Sequence, residues 1–153
     1  MANQYLSFVL NKSLYAFDVH QVQEVLVYEQ PVKVPCSASY IEGLINSRNQ
    51  GITVINMRKK FQLPDAVPDK KTRIIVLEIH KPTDENPDHI SVFGTVADDV
   101  QEVLELGEQD IEPPPKFGNA ISADFIHGIG KKDDKFIILL DIDKIFADCK
   151  TAE

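Results

Sequence analysis

Along the 153-residue chain, apolar positions fall into short runs that alternate with polar ones or stand as brief continuous stretches, and little of it carries a helical period. Tyr5 to Leu10 and Leu14 to Val19 flank Asn11-Lys12-Ser13, which predicts a hairpin. The polar stretch Asn46 to Gly51 predicts a turn, and Ile52 to Ile55 a strand after it. Ile74 to Ile79 is a continuous apolar run of the buried-strand kind. Ile90 to Ala97 predicts its neighbour, and Phe136 to Asp141 the last strand. Ile142, Ile145 and Phe146 put an apolar stripe on a short C-terminal helix. Ser37 to Glu42 predicts a helical turn with Ser37 as N-cap, ended by Gly43. Met57 to Phe61 reads as a short basic turn, and residues 64–71, rich in Pro, Asp and Lys, as a linker. Lys81 to Asp88 reads as an exposed loop with little to bury, and Pro113-Pro114-Pro115 as an extended polyproline segment.

The pattern is duplicated. Val22-Gln23-Glu24-Val25-Leu26 recurs unchanged as Val100-Gln101-Glu102-Val103-Leu104, with Asp18 and Asp98 ahead of the two copies. Its β-branched neighbours and the nearby Pro31 make it a tight turn leading into a strand. Downstream, Tyr40 to Leu44 finds its counterpart in Phe125 to Ile129. From Gly43 to Phe61 and from Gly128 to Phe146 the halves run in step, and the second copy carries extra residues around Pro113 to Asn119. Many short strands repeated in the same order predict two small β-barrels in an approximate two-fold relation. The first spans about residues 1–66 and the second 67–153, with terminal strands free to exchange between lobes and a groove between them as the place to look for function.

Composition narrows the function. Apolar residues make up 43% of the chain, enough for a core, but either half alone is too small to be comfortably stable. A net charge of −8 argues against binding nucleic acid, which needs a basic stripe. No apolar run approaches the ~18 residues of a membrane span, and Met1 to Tyr5 lacks the features of a secretory signal. An acidic cytoplasmic protein that meets other proteins fits these facts. Cys36 and Cys149 are far apart and without a CxxC, so reduced thiols are expected and no zinc site. His20, His80, His89 and His127 have neither metal-ligand nor triad spacing. Asp98-Asp99 and Asp133-Asp134 accompany no nucleophile or phosphate loop, and Lys131 to Lys135 reads as a hairpin turn with solvated charges. No catalytic residue, metal or cofactor is expected.

Several segments carry a family resemblance. These are Val22-Gln23-Glu24-Val25, Tyr40-Ile41-x-Gly43-Leu44-Ile45-Asn46, Arg48, Arg58-x-x-Phe61, Asp110-Ile111-Glu112 with its prolines, Phe125-Ile126-x-Gly128-Ile129-Gly130, and Ile137 to Ile142. In order and spacing they resemble the CheW-like coupling proteins of bacterial chemosensory arrays, from about Tyr5 to Phe146. The resemblance implies an all-β fold of two SH3-like five-stranded barrels packed side by side. It implies a non-enzymatic adaptor that joins the cytoplasmic tips of methyl-accepting chemoreceptors to the regulatory domain of a CheA-type histidine kinase. Such an adaptor sits in the cytoplasm at receptor arrays. Two lobes with related but non-identical surfaces can each hold a different partner, contacts of a kind that can close with the kinase into rings. As partner-binding residues the resemblance implies Val22, Glu24, Glu42, Gly43, Asn46 and Arg48, with Glu24 and Arg48 meeting in the groove.

The chain departs from the family at specific places. The family usually reads Asn-Leu-Arg-Gly where Asn46-Ser47-Arg48-Asn49 stands, a Pro at Thr53, Asp-Leu-Arg at Asn56-Met57-Arg58, an aliphatic residue at Gly51, and often Lys at Glu42. By residues alone, Glu24 and Arg48 are either a bidentate pair or two separate surface charges. Glu102 echoes Glu24, but Asp133 stands where Arg48 would repeat. Two further readings stay open. One is a scaffold of a non-standard chemosensory or polar-localisation system; the other is a small-ligand-binding protein or hydrolase using the inter-lobe groove.

Overall fold

The computed structural model describes residues 3–35, 38–80, 84, 85, 87, 90–113 and 125–146. The strands are β1 (Asn3–Leu10), β2 (Ser13–Asp18), β3 (Val22–Val27), β4 (Ile41–Ser47), β5 (Gln50–Ile55), β6 (Arg73–His80), β7 (Ile90–Ala97), β8 (Asp99–Leu106), β9 (Ile111–Glu112), β10 (Ile126–Lys132) and β11 (Lys135–Leu140). Two single-turn helices, α1 (Met57–Lys60) and α2 (Ile142–Ile145), follow β5 and β11. Asn56 and Asp141 cap them, their side-chain oxygens accepting from Lys59 N and Lys144 N, each at 3.1 Å.

The strands form two sheets, ordered β8-β1-β2-β11-β10-β9 and β3-β6-β7-β5-β4. Apart from the two-residue β9, the orders correspond strand for strand. In each, a pentapeptide strand lies at one edge, next to a hairpin whose second strand runs parallel to the last long strand of its half. Each sheet draws on both halves of the chain. The hairpin β1–β2 pairs with β8 and β11, while β6–β7 pairs with β3 and β5. Each half thus lends its hairpin to the other subdomain.

Local chemistry explains the joints. Asn11-Lys12, Arg48-Asn49 and Asp133-Asp134 all have positive φ, the pairing of a two-residue type I′ hairpin turn. Asn and Asp tolerate that region; Lys12 and Arg48 occupy it at a cost. Both pentapeptides carry a register shift against their neighbours, at Val22/Glu24 and opposite Leu6/Phe8. Matching shifts occur at Ile41/Gly43 and Ile126/Gly128, so Glu42 and His127 are the bulged residues of equivalent hairpins.

Side chains on the two faces of each sheet enter different cores. Along β6, Ile75, Leu77 and Ile79 join a large cluster with Phe8, Phe17, Phe93, Met57, Phe61 and Phe146. The alternate residues Ile74 and Val76 pack with Ile45, Ile52 and Val54 inside their own subdomain. Tyr5, Ala16, Leu106, Ile137 and Leu139 form the counterpart in the other. Burial on both faces is why Ile74 to Leu77 reads as an unbroken apolar run, and only Glu78, half-buried, interrupts it before Ile79. The largest cluster draws on both sheets and both helices, so the subdomains share a core.

Three expectations are corrected. No helical turn spans Tyr40 to Glu42: a turn closed by Ile41 N donating to Ala38 O leads straight into β4, and Gly43 lies inside that strand. The expected turn over Asn46 to Gly51 shrinks to Arg48-Asn49, since Asn46 and Ser47 pair with Gly51 and Gln50. Val19 belongs to a 3-10 turn, Val19–Gln21, rather than to the strand before it. The Ser37 cap, most of the loop at 81–88, and Pro114 and Pro115 lie outside the described residues.

Candidate functional site

The edge strand β3 holds the candidate site because its side chains alternate between half-buried and exposed. Val22 and Glu24 fall on the half-buried side; Val22 packs against the shared core. Glu24 reaches across the open seam of its sheet to the β4–β5 turn at the opposite edge. One carboxylate oxygen accepts from Ser47 Oγ at 3.0 Å and the other from Arg48 Nη2 at 3.1 Å. The carboxylate is largely covered, its side chain 18% exposed, while the Arg48 side chain is 76% exposed. Arg48 has φ 55, a conformation bulky residues avoid. The clasp thus holds a guanidinium in a strained turn with most of its surface in solvent.

The second subdomain builds this seam differently. There Glu102 is exposed, Asp133 occupies the turn, and the seam contact is Lys132 Nζ to Glu105 O at 3.4 Å. Among the described residues, a carboxylate–guanidinium pair across the seam occurs in the first subdomain and not in the second.

The other predicted site residues do not join the clasp, and Glu42 and Gly43 lie at the end of the β4–β5 hairpin away from its turn. Asn46 is exposed on β4, opposite Gly51. Gly43 has φ 142, and a Cβ there would stand 2.2 Å from Val32 O. That close approach lets Val32 and Leu44 exchange backbone hydrogen bonds of 2.9 and 2.8 Å. Glu42, on the bulge, accepts from Asn56 Nδ2. Tyr28 lies by this pair, and its phenol pKa is raised by burial and then by the Glu42 carboxylate.

Glu42, Asn56 and Tyr28 line a cleft of about 100 Å³ with Arg58, Thr72 and Asp98. Arg58, its side chain 11% exposed, is ion-paired with Asp98 and also donates to Pro64 O at 2.6 Å. Asp98 stands where the chain passes from β7 to β8, and its carboxylate also accepts from Asn11 N at 2.9 Å. This pair ties α1, the linker and the borrowed hairpin together. At the other passage between subdomains, Asp143 stands in the place of Arg58 and accepts from Gln21 Nε2 at 3.1 Å.

Sequence reasoning named Glu24, Arg48 and Glu42 but missed Ser47 as a partner of Glu24, Asn56 as the partner of Glu42, and the Arg58–Asp98 pair. The signal was present in pairs. Where the resemblance leads one to expect Lys and Asp, this chain has Glu42 and Asn56, and those two are hydrogen-bonded to each other. Beside Glu42 an Asp would be a second carboxylate; the amide supplies a donor instead.

A family model described as CheW-like domain matches residues 4–150. The chain belongs to the CheW-like domain family. Relatives match it over most of its length. A protein named chemotaxis protein CheW from Treponema pallidum is 28% identical over 148 residues, covering 94% of this chain and 82% of its own. One of the same name from Thermotoga maritima is 29% identical over 151 residues, covering 97% and 90%. The crystal structure of the scaffolding protein TtCheW from Thermoanaerobacter tengcongensis superposes with a TM-score of 0.82 at 34% identity, covering 95% of this chain and 88% of that one. The chain is therefore a CheW-type chemotaxis scaffold, built from two SH3-like β-subdomains whose sheets are not closed. No helix among the described residues is long and apolar enough to cross a membrane.

Proposed function

We propose that this scaffold couples the cytoplasmic tips of chemoreceptors to the regulatory domain of a CheA-type histidine kinase, that it does so in the cytoplasm and without catalysis, and that the Glu24–Arg48 clasp is central to its contact surface. The clasp carries the reading. Strain at Arg48 costs about 1–3 kcal/mol, and an exposed ion pair returns under about 1 kcal/mol, so stability alone does not account for it. A guanidinium held at a fixed angle suits a carboxylate or backbone carbonyl of a partner. Val22 on the same side of β3, Asn46 near the turn, and Glu42 and Gly43 toward the other end of β4 form the remainder of the proposed surface. The small cleft beside Glu42 and Asn56, whose arginine is already paired, supports binding over catalysis.

The test is titration calorimetry with the kinase regulatory domain and with a receptor cytoplasmic fragment from the same organism. The native chain is expected to bind, and Arg48→Glu to bind at least tenfold more weakly to one of the two while unfolding at the same denaturant concentration. Absence of binding to either partner, or an Arg48→Glu variant that binds both like the native chain, defeats the reading.

The Glu42–Asn56 pair favours a second reading, a scaffold matched to its own kinase and receptor set. An acid here reverses the charge the family often presents, so Glu42→Lys with Asn56→Asp should strengthen binding to a kinase domain from a family member that has Lys and Asp. An unchanged preference removes this reading.

A further inference from the structure

We propose that the outer end of the second subdomain, where the β1–β2 and β10–β11 hairpins meet, is a separate docking surface for an acidic protein segment that brings an apolar anchor. Phe136 marks it. In β11 this side chain is 64% exposed, although β11 lies inside its sheet between β2 and β10. The fold does not require an aromatic there: the equivalent residue of the first subdomain is Gly51, beside which a Cβ would meet nothing within 4 Å.

Beside Phe136 runs an open groove of about 510 Å³ lined by Val9, Leu14 and Ile138 as an apolar floor, with Lys12, Ser13 and Lys135. Val9 and Leu14 are directly opposed in the β1–β2 ladder, so the floor is a paired surface. Among the described residues lining this groove, the charged ones are both lysines. Lys131, opposite Phe136 on β10, places its ammonium 5.9 Å from the ring centroid. The acidic side chains closest in sequence, Asp133 and Asp134, form the β10–β11 turn.

A chain with 16 cationic and 24 acidic residues thus gathers Lys12, Lys131 and Lys135 at one exposed aromatic, with Asp133 and Asp134 in the adjoining turn and Asp99 opposite Val9. That charge selects the occupant. An acidic segment is attracted by the lysines and repelled by the rest of the surface, which fixes its location. An aliphatic or aromatic side chain from it would cover Phe136, the type of residue that anchors protein interfaces. An anionic membrane offers similar charge but would meet an acidic protein over a broad area, so a narrow segment fits better. The surface involves neither Glu24 nor Arg48.

The probe is a 16-residue helical peptide with Leu or Phe at positions i, i+3, i+4 and i+7 and Glu elsewhere, compared with its counterpart carrying Lys for Glu. Binding is followed by amide shifts in the full chain. The acidic peptide is expected to saturate, to shift amides at Lys12, Lys135 and Phe136, and to weaken roughly tenfold or more in Phe136→Ser. Lys12→Glu with Lys135→Glu should weaken it similarly, and raised salt should too. Equal binding of both peptides, shifts confined to other surfaces, or unchanged binding in the variants overturns the proposal. So does sedimentation with phosphatidylserine vesicles, or self-association, that Phe136→Ser abolishes; the surface would then belong to a membrane or to a second copy. Phe136 is exposed and its variant should fold, which a native-like spectrum checks.

Discussion

Replacing Asp98 with Ala should destabilise the protein far more than replacing Arg48, although each removes half of an ion pair. Arg58 is 11% exposed and depends on Asp98 for its charge balance, with Pro64 O and, at 3.5 Å, Asn11 Oδ1 as its other acceptors. Breaking a buried pair by deleting one partner costs about 3–5 kcal/mol. Asp98 itself is 31% exposed, so water recovers part of that, and about 2–3 kcal/mol remains. Arg48 is 76% exposed, and its removal should cost under about 1 kcal/mol. Against a total stability on the order of 5–15 kcal/mol the first loss is large and the second nearly invisible. Equilibrium unfolding in urea of the native chain, Asp98→Ala, Arg58→Met and the double variant gives both the cost and the coupling. The coupling between Asp98 and Arg58 should be about 1.5 kcal/mol or more, because the methionine removes the charge that the alanine strands. An Asp98→Ala cost under about 1 kcal/mol, or a coupling of zero, would refute the view that this pair locks the passage between subdomains.

Other outcomes follow from the same geometry. Arg48→Asn relieves the positive-φ strain and should leave thermal stability unchanged or raised by up to about 1 kcal/mol; a partner-binding assay should show the loss, and a variant both destabilised and binding-competent contradicts the clasp's proposed role. Gly43→Ala should cost about 3 kcal/mol or more, from φ 142 and from a clash with Val32 backbone that cannot yield. Gly128→Ala, whose nearest obstacle is the Ile111 side chain, should cost less than its counterpart, and denaturant midpoints read both. Burial raises the Tyr15 pKa above 10.0 against the opposing pull of Arg58, and Tyr28 is raised as well. The unfolded phenols then lose protons first, so stability should be full below pH 10 and decline above it as pH rises toward the folded pKa values. Tyr15→Phe should flatten that decline in unfolding midpoints taken between neutral and alkaline pH.

The repeat made most of the strands readable, since Val22 to Leu26 and Val100 to Leu104 do occupy equivalent edges. It also located the clasp, because Arg48 is where the copies differ. The partner of Glu24 was therefore legible while its geometry was not. Gly43 misled because a glycine after polar residues signals a helix end, whereas here it makes room for Val32 backbone from a segment paired non-locally. The reciprocal loan of hairpins was equally hidden. Periodicity identifies a strand and its faces; which distant edge it joins is decided by the packing of both halves together. The pairings of Asp98 and Asn56 were hidden for a similar reason, since their partners are 40 and 14 residues away.

The loan also sets a timetable for synthesis. The β1–β2 hairpin is made first, carrying Leu6, Phe8, Leu10 and Phe17, all destined for the shared core. Its outer neighbours are β8 and β11, and β11 is the last strand to be made. The subdomain of β3 to β7 can close once Ala97 has left the ribosome, while the earliest residues still wait with an apolar face uncovered. A growing chain of this design must shield its own beginning until its end arrives, so slowed translation past β7 should increase its demand for chaperones.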